Sequence, residues 1–401
     1  MEKSRSIEST YWIFRRRKQV IPMFKQFSDY VKQFPFDEVK SKLESLNQDE
    51  KQTRQKIEQI LSKIFAEEHI QWQEFLYLIS DPALEYLEII AQIAQKITRK
   101  RFGNAILIYA PLYLSNECKS ICTYCGFRYN NLIKRRTLTI DEAYEEAMIL
   151  HKQGIRHILL LTGEDYRNTP VSYIGEVAER LKYHFSSIGI EVYPLKTEEY
   201  EFLRTKGVDS LTIYQETYDP IRYKEVHLQG VKKRMEFRLN CPDRGGKAGL
   251  RRIGIGALMG LSHPETEVAM VGLHANYLSK KYWKTHITIS LPRLRPAENF
   301  ENVPVVSNKK YVLFLAALRI FLPDVGLILS TRESPYFRDH VIPICITQIS
   351  AGSKTEPGGY SGKEATEQFH IEDHRSIPEI VEMLKSKNLD PVFTDWVYVM
   401  K

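Results

Sequence analysis

The chain has 401 residues but only five cysteines. That is too few for a disulfide framework in a protein of this length. No stretch approaches the roughly 18 uninterrupted apolar residues of a membrane helix. The first 20 residues also lack the apolar core of a secretory signal. A cytoplasmic, reducing setting without a membrane partner is therefore expected. A basic patch interleaved with aromatics, the footprint of nucleic-acid binding, is missing too. The net charge of +7 is concentrated near the start: Lys3, Arg5, Arg15, Arg16, Arg17 and Lys18 stand against Glu2 and Glu8. Residues 1–22 read as a disordered extension, with Met23 as an alternative start, and no nucleic-acid partner is expected.

The scarce cysteines are gathered. Cys118, Cys122 and Cys125 lie within eight residues, spaced CxxxCxxC. Three thiolates from one loop can hold three corners of a cubane and leave one iron open. A cluster that only carries electrons normally takes four protein ligands. A tetrahedral zinc site usually adds a nearby Cys or His, yet the nearest histidine is His151. A disulfide would leave an odd cysteine. The pattern fits an open [4Fe-4S] cluster whose free iron takes S-adenosylmethionine through its amine and carboxylate. Reductive cleavage of that molecule gives a carbon radical. A zinc-stabilised binding protein is the alternative from another class.

Residues 23–103 read as an N-terminal helical region. Asp81-Pro82 is a helix start, and Leu84, Leu87, Ile90, Ala91, Ala94 and Ile97 follow at helical spacing up to Gly103. From Asn104 the pattern changes to apolar runs of strand length. They are Ala105–Ala110, His157–Thr162, Ile190–Leu195, Ser210–Gln215, Arg252–Leu258, Thr285–Leu291, Gly326–Ser330 and Cys345–Ser350. Runs without polar alternation suit parallel strands covered on both faces. Eight such runs separated by helical segments predict an α/β protein, a (β/α)8 TIM-type barrel, over residues 104–360, with an open doubly wound sheet as the alternative. Residues 361–401 are expected to pack on it. In a barrel the strand ends carry the site, which puts the cysteine loop, Gly163-Glu164, Gln215-Glu216, Arg332 and Ser350–Ser353 on one rim.

These motifs resemble a known family. The cysteine loop, Gly163-Glu164 and Gly254-Ile255-Gly256 are similar to those of radical S-adenosylmethionine enzymes. Pro111–Asn116, Gly126-Phe127, Tyr214–Tyr218, Arg252–Leu258, Ser330–Glu333 and Ser350–Ser353 resemble the tyrosine lyases among them. Those comprise the 2-iminoacetate synthases of thiamine thiazole biosynthesis and the lyases that mature [FeFe]-hydrogenase. The maturases carry cysteines for a second cluster in a C-terminal extension. No cysteine follows Cys345 here, which favours the first group.

The resemblance implies radical cleavage of the L-tyrosine Cα–Cβ bond to 2-iminoacetate and p-cresol. It also implies a thiazole synthase that takes the product and a reductant such as flavodoxin or ferredoxin. Cys118, Cys122 and Cys125 become the cluster ligands. Tyr124, Gly163, Glu164, Arg238, Gly254 and Ile255 become candidates for contacting S-adenosylmethionine. Gln215, Glu216, Arg332, Ser350 and Ser353 become candidates for the substrate. Arg293, Arg295 and Lys354 are further cations for the substrate carboxylate. Cys241 and Cys345 are expected to lie outside the cluster, Cys241 beside Pro242 and open to solvent. The polar segment Gln229–Gly249 is a candidate cover for the mouth.

Overall fold

The structure, a computed structural model, describes residues 24–300, 305–363 and 365–394. The expected extension at residues 1–22 lies outside them. The eight apolar runs form a closed parallel barrel: β1 Ala105–Ser115, β2 His157–Thr162, β3 Ser187–Glu191, β4 Ser210–Glu216, β5 Arg252–Ala257, β6 His286–Ser290, β7 Gly326–Leu329 and β8 Gln348–Ser350. Each pairs with its neighbour in chain order. Closure comes from Leu107, Ile108 and Tyr109 of β1 against Gln348, Ile349 and Ser350 of β8. The open-sheet alternative is thereby excluded. A ninth strand, β9 (Asp390–Val392), pairs with the first residues of β1, Ala105–Leu107. It lies before the stretch of β1 that pairs with β2, which begins at Ala110.

Two runs differ from the sequence expectation. The third strand is Ser187–Glu191 and not Ile190–Leu195. Its start looks polar because Ser187 and Gly189 face the narrow barrel interior, with Ser210 Oγ 2.7 Å from where a Gly189 Cβ would stand. Val192, Tyr193 and Leu195 are apolar because the loop after the strand is itself buried. Cys345 ends the helix Pro335–Cys345 and does not begin β8. The helix expected from Asp81 opens as a 3-10 turn over Asp81–Tyr86, and the α-helix proper runs Leu87–Phe102. Its buried Ile90, Ile93 and Ala94 face the core.

Helices Phe36–Gln48, Glu50–Phe65 and Trp72–Leu78 pack outside the barrel wall. Trp72 Nε1 donates to the Ala269 carbonyl at 3.3 Å. The chain enters this layer through Phe27, which stacks on His274 at 3.7 Å and donates its N–H to Asp243. The segment Arg244–Lys247, expected to cover the mouth, belongs to a wall helix, Cys241–Lys247. Gly245 lies against Leu211 and Ile253, and Gly246 lies under the Tyr282 ring. Cys241 is buried there and hydrogen-bonds Tyr200 at 2.7 Å, so it is not exposed. The part of the segment that does reach the rim is Gln229–Arg238, which includes Lys232.

Candidate active site

The cysteine loop leaves β1 after Ser115 and is tied down on three sides. Gly163, just past β2, donates to the Ser115 carbonyl at 3.0 Å, and Lys119 N–H donates to the Glu164 carbonyl at 3.0 Å. A Cβ on Gly163 would stand 2.1 Å from the Glu117 carbonyl oxygen and 3.1 Å from Cys118 Cβ. The glycine is thus required for the loop to lie on the strand end. On the second side, Ile121-Cys122 forms an antiparallel ribbon with His227–Gln229. Thr123 N–H donates to Val226, and the Tyr124 hydroxyl pairs with His227 Nε2 at 2.8 Å. On the third side, Gly126 donates to the Gln368 carbonyl, and Gln368 Nε2 lies 3.8 Å from Cys125 Sγ.

Behind the loop runs a buried chain of charge. Ser120 Oγ donates to Glu164 Oε2 at 2.9 Å, and Arg238 Nη1 reaches Glu164 Oε1 at 3.2 Å. Arg238 Nη2 lies 3.4 Å from Glu216 Oε1, and its Nε donates to the Tyr214 carbonyl at 2.7 Å. Lys232 completes the chain by donating to Glu216 at 2.6 Å. Glu216 sits at φ +71°, where the register of β4 shifts. Burial would raise the Glu216 carboxyl, but Lys232 and Arg238 outweigh it and hold it below its ordinary value. Two carboxylates and two cations compensate one another here, as buried charges must.

The rim encloses a cavity that opens to solvent. Cys125, Tyr124 and Glu216 line it beside Tyr109, Tyr113, Tyr214, Glu191, Lys232, Leu258, Arg332, Ser350, Ser353 and Phe369. The candidate cations separate cleanly. Arg293 is held by Glu333, Val306 and Asn308, and Arg295 by Glu333 and Glu372. Lys354 is exposed. Arg332 lies over the Phe369 ring at 3.3 Å, and among the described residues no carboxylate or carbonyl pairs with its guanidinium. Ser353 Oγ is buried without a partner among the described residues. Ser350 Oγ accepts from Thr331 N–H at 3.1 Å.

Six of the expected cofactor and substrate residues do not line this cavity. Gln215 points out of the barrel between Tyr214 and Glu216, as strand alternation requires, and does not line it. Ile255 also points outward into the core. Gly254 lies lower in the barrel, against Thr212 and Thr288. Glu164 and Arg238 form the rear network, with Gly163 beneath the loop.

The model of the Radical SAM superfamily matches residues 112–273, and that of the Biotin and Thiamin Synthesis associated domain matches residues 290–390. The 2-iminoacetate synthase of Salmonella typhimurium LT2 is 40% identical over 375 residues, covering 93% of this chain and 97% of that enzyme. The 2-iminoacetate synthase of Escherichia coli K12 is 39% identical over the same span. The [FeFe]-hydrogenase maturase HydG from Carboxydothermus hydrogenoformans superposes with a TM-score of 0.82 at 35% identity, covering 90% of this chain and 84% of that one.

The chain belongs to the 2-iminoacetate synthase family.

Membership in this family of radical S-adenosylmethionine lyases implies an iron–sulfur cluster and S-adenosylmethionine, and the donor set fits them. Cys118, Cys122 and Cys125 share one loop at the cavity wall, while Cys241 and Cys345 are buried elsewhere. Among the described residues, no three His, Cys, Asp or Glu side chains converge on one ion position. Burial pushes the Cys118 thiol up to about 12 and raises those of Cys122 and Cys125, so iron must displace the protons. No helix among the described residues is long and apolar enough to cross a membrane.

Several cavity-lining residues carry no individual sequence signal of function, even where they fall inside a family motif. Tyr109, Tyr113 and Tyr214 read as strand residues, and Lys232 as a surface charge. Glu191 offered one, a carboxylate inside an apolar run.

Proposed function

We propose that this 2-iminoacetate synthase homologue cleaves the Cα–Cβ bond of L-tyrosine, giving 2-iminoacetate and p-cresol, and feeds the thiazole branch of thiamine synthesis. The observation that carries the reading is Arg332, an unpaired guanidinium in the cavity that Cys125 also lines. An α-amino acid carboxylate is the natural bidentate partner for it. Ser353, with its free hydroxyl, then hydrogen-bonds the substrate's polar end. Cys118, Cys122 and Cys125 would hold the [4Fe-4S] cluster, which with S-adenosylmethionine would supply the radical chemistry when bound.

Other residues act by holding shape. Glu164, Arg238 and Lys232 fix the cysteine loop and Glu216 from behind. Gly163 lets that loop lie on β2. Leu159, Leu161, Leu258, Leu294 and Phe369 line the cavity and keep water from the reacting atoms. The partners are a thiazole synthase, which consumes the imine, and a one-electron carrier such as flavodoxin or ferredoxin.

The test is anaerobic incubation of the reconstituted enzyme with dithionite, S-adenosylmethionine and tyrosine, in wild type and in Arg332→Ala. Losing one partner of a desolvated charge pair costs about 2–5 kcal/mol, so KM for tyrosine should rise at least tenfold while 5′-deoxyadenosine forms without substrate. An unchanged KM overturns the assignment of Arg332. The likeness to HydG keeps a second reading in view: release of carbon monoxide or cyanide from tyrosine would favour a maturase.

A further inference from the structure

The cavity holds a second charged group without a hydrogen-bond partner among the described residues, on the strand opposite the one that Arg332 follows. Glu191 ends β3, and Arg332 follows β7. In a closed barrel of eight strands these two strands are diametrically opposed. Both side chains line the same cavity. Of the phenols that line the cavity with Glu191, Tyr113 donates to Gln368 Oε1 at 2.7 Å. Lys232 and Arg295 are taken by Glu216 and by Glu333 and Glu372. Among the described residues, no donor reaches the Glu191 carboxylate. A half-buried carboxylate on a cavity wall, with no donor of its own, is a place for a ligand to supply one.

This inference rests on the tyrosine reading of the site. With the substrate carboxylate on Arg332, the amine stays at that end, one carbon away. The group that projects across the barrel is the 4-hydroxyphenyl ring. We propose that Glu191 accepts the phenolic O–H of the bound substrate and so selects a 4-hydroxyphenyl side chain over a phenyl one. The surroundings agree. Tyr113, Leu161 and Glu191 lie in one register across β1, β2 and β3, giving the ring an aromatic and aliphatic wall that ends in an acceptor. Burial, with Glu216 nearby, lifts the Glu191 carboxyl to about 7, and a phenol donor would favour its ionised form. A site built around a substrate hydroxyl rejects the analogue that lacks it, because its own polar group is then left unpaired.

Equilibrium dialysis tests this without turnover, using the reconstituted enzyme with S-adenosylmethionine and no reductant. Labelled L-tyrosine and L-phenylalanine are compared in wild type, Glu191→Gln and Glu191→Leu, with iron content and circular dichroism confirming intact protein. Wild type should prefer tyrosine. The preference should fall about tenfold in Glu191→Gln, which keeps a neutral acceptor, and about 100-fold in Glu191→Leu. Phenylalanine affinity should hold or improve in the leucine variant. A tyrosine-to-phenylalanine ratio unchanged in both variants overturns the proposal. So does an equal loss of both ligands, which marks a structural role. If wild type itself neither binds nor cleaves tyrosine, the functional reading fails and this inference falls with it. If wild type makes p-cresol and the variants keep the ratio, only the inference fails.

Discussion

Replacing Gly163 by alanine should cost the enzyme its cluster before it costs the fold. Gly163 does not occupy the left-handed backbone region, so alanine is conformationally allowed and the effect is purely steric. The new Cβ would stand 2.1 Å from the Glu117 carbonyl oxygen and 2.8 Å from its carbon, where ordinary contact begins near 3.4 Å. Both are backbone atoms and cannot rotate away. Residues 117–118 must therefore retreat by roughly 1 Å, at an overpacking cost of about 1–3 kcal/mol. A large domain survives that. A cluster ligand does not, because metal–ligand distances hold to about 0.2 Å. Iron and acid-labile sulfide after anaerobic reconstitution should fall well below the four of each expected per wild-type chain. Gly254→Ala is the control. Its Cβ would meet only Thr288 and Thr212 hydroxyls at 3.0 and 3.2 Å, away from the loop, and it should load normally. Wild-type iron content in Gly163→Ala would refute the reasoning.

Two further substitutions probe the buried charges. Arg238→Met removes the partner shared by Glu164 and Glu216, and breaking such a pair costs about 3–5 kcal/mol. Thermal denaturation should show a loss of roughly 5–10 °C, whereas exposed Arg234→Met should not shift the midpoint. Glu267 is buried, which lifts its carboxyl to about 8 although Thr217 and Tyr218 N–H hydrogen-bond it. Its folded value lies above its unfolded one, so its support for folding is full below about pH 4 and is lost as pH rises toward 8. Wild-type Tm should therefore decline from pH 5 to 8.5 more steeply than that of Glu267→Gln; parallel curves would contradict this.

The barrel was legible because β1, β2 and β7 are largely apolar on both faces, while β5 and β6 keep an unbroken outward apolar face of Ile253, Ile255 and Ala257 and of Ile287 and Ile289. The misplaced third strand shows the limit. Ser187 and Gly189 are small because the barrel interior is narrow, and buried Tyr193 and Leu195 extend the apolar run beyond the last ladder bond. Hydrophobicity reports burial, not pairing. In the site, Cys118–Cys125 were legible from spacing alone, and Arg332 and Ser353 from their place after strand ends. Gln215 and Glu216 are both polar at a strand end, so the sequence singled out both, although alternation from the inward Tyr214 turns only Glu216 into the cavity. Arg238 looked like a ligand-binding cation. Only tertiary structure shows that Glu164 and Glu216 already hold it.

The most direct measurement of the central claim is product analysis of the anaerobic reaction with L-tyrosine. Under competent reduction, with S-adenosylmethionine present, p-cresol and 5′-deoxyadenosine should accumulate together, with glyoxylate from hydrolysis of the imine. If 5′-deoxyadenosine forms but tyrosine is recovered intact and no p-cresol is detected, this cavity does not serve tyrosine cleavage.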